Sequence, residues 1–344
     1  MVRPRSRARA LVTPDGSGGD EPWILDPDGL QPVLLRSCPP IGDCRMDFQY
    51  RDELLLDDIH AHGGRVWIPE EAREKGGRYP LLVLLHGIDT DEEPDPPHRL
   101  LAPPLDVSRI IKRRIEADEL APMLVAAPSQ TRDADSSVSL WTAEGFELGD
   151  FVQAVDRELA ASTRVRVDRH DVSVFGHSGA GCVVTANQRN GLFHIAEELS
   201  DLRRRSIWVR LLGLMDICFH GHGGGEFLAE KLANTDTKVF AMWVEPEAWS
   251  KGLDRDLDGF ARGLGVTDTV ACDRQRYESC HGNPAGWFLY KVHKENLQHS
   301  APHAAVDDPD SGGDRATLGG DTERLDAHHA LVRWFVDEAL NLYF

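Results

Sequence analysis

Asp171 to Gly181, DVSVFGHSGAG, constrains this chain more than any other stretch. A short apolar run, Val172, Val174 and Phe175, stops at Gly176. His177, Ser178, Gly179, Ala180 and Gly181 follow, before a run that can continue as a helix. The pattern is strand, sharp turn, helix, with Ser178 at the apex. A serine held at such a turn exposes its hydroxyl above a sheet. The backbone there is strained, so the residues two before and two after must be small, and Gly176 and Ala180 are. The bland alternative is a glycine-rich turn with an idle serine.

The surrounding chain supplies a sheet for that turn. Pro80 to Leu85 (PLLVLL) is apolar on both faces, as in a strand covered from both sides in a largely parallel sheet. Further strands are expected at Met123–Ala127, Ile207–Cys218, Lys238–Val244 and Trp287–Val292, the last of the series. Helices are expected over 106–117, from Leu148 to Leu159, over Gly181–Asn190, Glu226–Asn234 and Leu253–Leu264, and from Ala330 to Leu340. Nearer the N-terminus, Gln31–Arg36, Asp47–Ile59 and Arg65–Pro69 read as antiparallel edge strands. Alternating helices and buried strands mean a mostly parallel central sheet in a three-layer α/β/α sandwich. Residues 1–22 read as a mobile leader, and 23–344 as one domain with a long polar loop over about 294–326.

Composition removes some classes of function. The 344 residues carry a formal charge of −19, which argues against a nucleic-acid partner, because neutralising phosphates needs a basic surface. No apolar run approaches the roughly 18 residues of a membrane-crossing helix. Arg3, Arg5, Arg7 and Arg9 are not followed by an apolar stretch, so no secretory signal is read, and location stays open with the cytoplasm favoured. Of six cysteines, Cys38 and Cys44 flank a Pro-Pro-Ile-Gly turn and Cys272 and Cys280 flank a polar loop. Both spacings allow local disulfides. Cys182 and Cys218 read as buried thiols. No C-x-x-C occurs, which disfavours a structural zinc site. Oligomeric state is not legible.

GHSGAG resembles the nucleophile elbow of the α/β-hydrolase family, and the phrase RVWIPEEAREKGGRYPLLVLLHG is similar to the opening of its esterase-like members. The likeness covers roughly residues 47–340. It implies an α/β-hydrolase fold, a serine hydrolase cleaving an ester-type acyl bond through an acyl-enzyme, and no metal or organic cofactor. Two backbone N–H groups would form the oxyanion hole. One belongs to Gly179, after the nucleophile. The other belongs to Ile88, with Gly87 letting the backbone approach closely. His86 reads as structural. The substrate would be a small molecule or acyl ester.

A serine alcohol needs a base, and the base needs an orienting acid. The family's chain order is Ser, acid, His, so both partners should follow Ser178. Nine histidines do. His328 and His329 stand before the last amphipathic stretch, where the resemblance places the base. His329 is favoured, His328 is its rival, and His299 and His303 come next. For the acid, Asp216 ends a buried strand, where a carboxylate requires a partner. Glu245 and Glu247, after the following strand, are alternates. His177, Trp141 and His220 are candidates for the cleft lining. Rival readings keep the fold but change the acceptor (acyltransferase, amidase, peptidase), or make the chain a non-catalytic binding module. Another places a metal at His220 and His222 with Glu226 and His281.

Overall fold

A computed structural model describes residues 36–38, 42–49, 63–86, 99–101, 106–128, 146–177, 180, 183–185, 188–189, 191–217, 223–244, 257–293 and 322–344. The expected leader lies outside them, as does 294–321 of the expected loop. In chain order the strands and helices are β1 (Arg36–Ser37), β2 (Cys44–Gln49), β3 (Gly63–Ile68), α1 (Glu70–Lys75), β4 (Gly77–Leu85), α2 (Ser108–Glu116), β5 (Leu124–Pro128), α3 (Leu148–Ser162) and β6 (Val165–His177). There follow β7 (Val183–Thr185), β8 (Gln188–Arg189), α4 (Leu192–Arg204), β9 (Val209–Met215), α5 (Gly224–Leu232), β10 (Lys238–Val244) and α6 (Leu257–Leu264). The chain closes with β11 (Asp268–Thr269), β12 (Tyr277–Gly282), β13 (Phe288–Val292) and α7 (Thr322–Tyr343).

Eleven strands form one sheet in the order β1-β2-β3-β5-β4-β6-β9-β10-β13-β12-β11. From β5 to β13 six neighbours run parallel. Both flanks are antiparallel: β1, β2 and β3 on one side, β12 and β11 on the other. The parallel part follows from strands that are apolar on both faces, because each must be covered twice. Side chains alternate across a strand, and the core divides accordingly. Leu81, Val83, Leu85, Val172, Val174, Leu212, Leu214, Val239 and Ala241 face one cluster, packed against α3, α4, α5 and α6. Leu82, Leu84, Phe175, Leu211, Met215, Phe240 and Met242 face the other, packed against α2 and α7. The expected three-layer α/β/α sandwich with a mostly parallel sheet is what the chain forms.

The helix stripes explain which face each helix takes. In α2, Ile110, Ile111 and Ile115 are buried; in α3, Leu148, Phe151, Val152, Val155 and Leu159 are. In α7 the buried stripe is Leu331, Val332, Phe335, Val336, Ala339 and Leu340. Phe335 stands 5.1 Å from Phe175 and 4.8 Å from Phe240, ring centre to ring centre. Gly213 of β9 leaves room for this stack. A Cβ there would collide with Phe175 and come within 2.7 Å of Phe335 Cζ.

Several elements differ from expectation. Gly181–Asn190 is not a helix: β7 and β8 pair there, and the helix starts at Leu192. Val183, Val184 and Thr185 are consecutive β-branched residues, which favour strand over helix. Gly191, at φ +52°, then starts α4. The C-terminal flank carries two strands beyond β13, so β13 is last in sequence but not at the edge. Helix α7 begins at Thr322, eight residues before the expected start. Thr322–Ala327 holds no Gly or Pro to stop it. Strand β2 begins at Cys44, and residues 50–62 lie outside the described residues.

Disulfides Cys38–Cys44 and Cys272–Cys280 are formed, as their spacings allow. On the N-terminal flank, Arg65 holds Asp47 through Nε at 2.7 Å and Nη2 at 3.0 Å. No helix of the described residues is long and apolar enough to cross a membrane.

Replacing Gly213 by alanine should cost about 1–3 kcal/mol through overpacking, read as a lowered urea midpoint with unchanged slope. Burial also pushes the Tyr290 phenol up to about 12, and raises those of Tyr277 and Tyr343. The fold keeps these protons when the unfolded chain, titrating at about 10, has lost them. Stability should therefore hold below about pH 10 and fall as pH rises toward about 12, measured by urea titrations on either side of that window.

Candidate active site at the sheet's C-terminal rim

Chain path marks the site before any side chain does. From β4 the chain crosses through α2 to β5 on one side, then back through α3 to β6 on the other. Helices α2 and α3 pack on opposite faces. In an open α/β sheet, a crevice opens outside the strand ends where the order reverses in this way. Here that place lies between the C-terminal ends of β4 and β6, and these strands end at Leu85 and His177.

Register aligns three strand ends there. Leu85 pairs with Gly176, Gly176 with Leu214, and His177 with Met215. His86, buried, follows Leu85. Asp216 follows Met215, as Ser178 follows His177. Parallel neighbours lie about 4.8 Å apart, so the chain leaves β9 at Asp216 directly beside the end of the elbow strand.

Asp216 is 3% exposed, and its φ is +45°. Of the described non-glycine residues, three have a positive φ, and the other two, Asp118 and Ser206, sit in turns. A left-handed aspartate costs about 1–2 kcal/mol. The cost is borne because the Asp216 N–H donates to the Met242 carbonyl at 2.9 Å, keeping the residue tied to β10 as the strand ends. Backbone strain of this kind collects at functional sites.

The elbow's small residues have visible reasons. A Cβ on Gly176 would lie 2.9 Å from Leu192 Cδ1 and 3.3 Å from the Ala180 Cβ. The two flanking positions thus face each other, and glycine at 176 leaves room for alanine at 180, which is fully buried. Gly191 closes the other side: a Cβ there would overlap the Ala180 carbonyl oxygen. Gly191 and α4 are not among the sequence expectations; Asn190-Gly191, ahead of the apolar spacing of LFHIAEEL, is the local signal for that helix start.

Helix α7 carries the backbone of His328 and His329. Its C-terminal end is fixed low on the sheet, where the Tyr343 phenol donates to the carbonyls of Val239 (3.1 Å) and Gly286 (3.0 Å). Phe335 packs at the height of Phe175. The helix therefore rises toward the C-terminal rim as it runs back to Thr322. His329 is six residues, about 9 Å, up from Phe335. The strand end at His177 is two residues, about 7 Å, up from Phe175. The backbone at His328 and His329 thus reaches the rim, inside a helix rather than ahead of one.

The structure therefore gathers His86, His177 and Asp216 on adjacent strand ends. Ser178, Gly179, Gly87, Ile88, Trp141, His220, His222, Glu245, Glu247, His299 and His303 lie outside the described residues. Glu226 is packed in the first turn of α5: its Oε2 is 2.5 Å from where a Gly263 Cβ would stand. His281 is on β12, paired with Leu289. Among the described residues no group of three or more His, Cys, Asp or Glu could hold a metal ion.

Six parallel strands, a reversal between β4 and β6 and helices on both faces decide the fold. The chain has an α/β-hydrolase fold. No family model matches it, and no curated protein does either. Similar solved structures include a ferulic acid esterase at 14% identity and TM-score 0.46, over 77% of this chain and 97% of the other. An S-formylglutathione hydrolase from Agrobacterium tumefaciens is similar at 12% identity and TM-score 0.46, over 76% and 91%. A ferulic acid esterase from Anaeromyces mucronatus is similar at 11% identity and TM-score 0.44, over 91% and 100%. In this fold Gly191 should be less replaceable than Gly176, the other described glycine beside Ala180. Gly191→Ala meets both a backbone clash and an unfavourable φ, so it should lower stability by more than about 1 kcal/mol. Chemical denaturation against Gly265→Ala, a positive-φ glycine with open space around it, isolates the clash.

Proposed function

We propose that the protein is a serine esterase in which Ser178 is the nucleophile, His329 the base and Asp216 the acid that orients it. One observation carries the reading: the β6–β9 register sets a buried, left-handed Asp216 one residue past the partner of His177, beside the strand whose next residue in sequence is Ser178. A buried carboxylate in a strained backbone, at the rim of the reversal point, is an arrangement that packing does not require. His328 is the alternate base, and Glu245 and Glu247 are alternate acids.

The chemistry runs in two halves. The His329 imidazole takes the Ser178 hydroxyl proton as the oxygen attacks the acyl carbon. The N–H groups of Ile88 and Gly179 donate to the oxygen that gains negative charge. Asp216 holds the ring in one tautomer and stabilises the imidazolium. The imidazolium then protonates the leaving alcohol, leaving an acyl ester on Ser178. Water, deprotonated by the same ring, attacks that ester and releases the acid. No step calls for a metal or organic cofactor.

A fluorophosphonate probe should label the protein at Ser178, and a chromogenic short-chain ester should be turned over. Ser178→Ala should abolish labelling and lower kcat by about a thousandfold or more. Asp216→Asn should keep the fold, because asparagine tolerates a left-handed backbone, yet lower kcat on the order of a hundredfold to ten-thousandfold. His328→Ala and His329→Ala, compared in parallel, identify the base. Turnover that survives Ser178→Ala would overturn the proposal.

A further inference from the structure

Helix α7 is gripped over its C-terminal half, while its histidines stand in the other half. On one flank, Arg114 of α2 donates from Nε to Asp337 at 2.8 Å and from Nη1 to Asn341 at 2.9 Å. On the other flank, Tyr277 donates its phenol proton to Glu338 Oε2 at 3.1 Å, and the Arg276 guanidinium lies 5.9 Å over the Trp334 ring. Both residues of this second grip belong to the segment closed by the Cys272–Cys280 disulfide. Asp273 organises that segment from within. Its carbonyl accepts the Tyr277 N–H at 2.9 Å, and its side chain accepts the Gln275 N–H at 2.8 Å. Tyr277 is 2% exposed, its ring 4.9 Å from that of Tyr290. Its proton is held firmly, since burial and the nearby Glu338 carboxylate both raise its pKa.

Contacts on two flanks of one helix resist its rolling. Glu338 is nine residues from His329, about 13 Å along the axis. Side-chain tips ride about 5–6 Å from that axis, so a roll of about 10° moves them by about 1 Å. A misplacement of about 1 Å can cost on the order of a hundredfold in rate. The geometry points to Tyr277 as a positioning residue, which acts through Glu338 to fix the orientation of α7 and is itself kept in place by the Cys272–Cys280 disulfide. This rests on the reading that the base is carried by α7.

The test pairs kinetics with amide hydrogen exchange. Tyr277→Phe should lower kcat about tenfold with KM within about twofold, since it displaces the base rather than the binding groups. Glu338→Gln keeps an acceptor oxygen and should stay near the parent, whereas Glu338→Ala should behave as Tyr277→Phe. The double variant Cys272→Ser, Cys280→Ser should also lower kcat. Cys38→Ser with Cys44→Ser opens a disulfide at the far edge of the same sheet and should not. In the slowed variants, amides over 322–333 should exchange faster than in the parent. Unchanged kcat and exchange in Tyr277→Phe would overturn the inference, as would equal slowing by the two disulfide variants. If the parent shows no esterase activity but exchange over 322–333 still quickens, the esterase reading fails and the grip on α7 stands.

Discussion

Parallel pairing of β6 with β9 is the contact on which the rest depends. It is a backbone ladder between two strands buried on both faces, so its register cannot slip by one residue without turning every side chain to the opposite core. Val174 and Leu212 face α3 and α4, while Phe175 and Leu211 face α2 and α7. That alternation fixes where each strand ends. The same alternation brings the end of β6 at His177 and the bend at Asp216 to one height.

Two kinds of force act on the rim. Apolar burial places the elements, and is tolerant of small shifts because it has no direction. Hydrogen bonds and ion pairs then choose one arrangement among those the core allows. Asp216 is tied by its N–H to Met242, and α7 is held by Arg114, Tyr277 and Tyr343 at three points around its C-terminal half. The apolar stripe of α7 sets which face of the helix meets the sheet, with Phe335 between Phe175 and Phe240. Polar contacts at the periphery then resist its rolling.

Much of this was readable from residue order. Pro80–Leu85 announces a doubly covered strand, the isoleucines of α2 announce their face, and an aspartate closing an apolar run announces its place at a strand end. What stayed hidden has physical causes. The stripe of α7 marks only its buried half; Thr322–His329 lacks a continuous apolar stripe, so periodicity is silent about its helix. Strand β12 reads YESCHG, with a bulge between Tyr277 and Ser279 breaking the alternation that marks a strand. Val183–Thr185 carried its β-branched signal, which the expectation of a helix after the elbow outweighed. Gly191 acts through contact with Ala180, eleven residues away, and no local pattern reports such a contact.

The outermost ladders of the sheet each have a sulfur crosslink nearby. Cys38–Cys44 links the segment after β1 to the start of β2, and Cys272–Cys280 ties β12 to the turn that precedes it. Edge strands present open amide rows that recruit other chains, and these two edges are short. Such crosslinks persist where thiols are not kept reduced. A chain made in a glutathione-rich cytosol would then have frayed margins around an intact centre, and its first visible fault would be self-association rather than loss of the central fold.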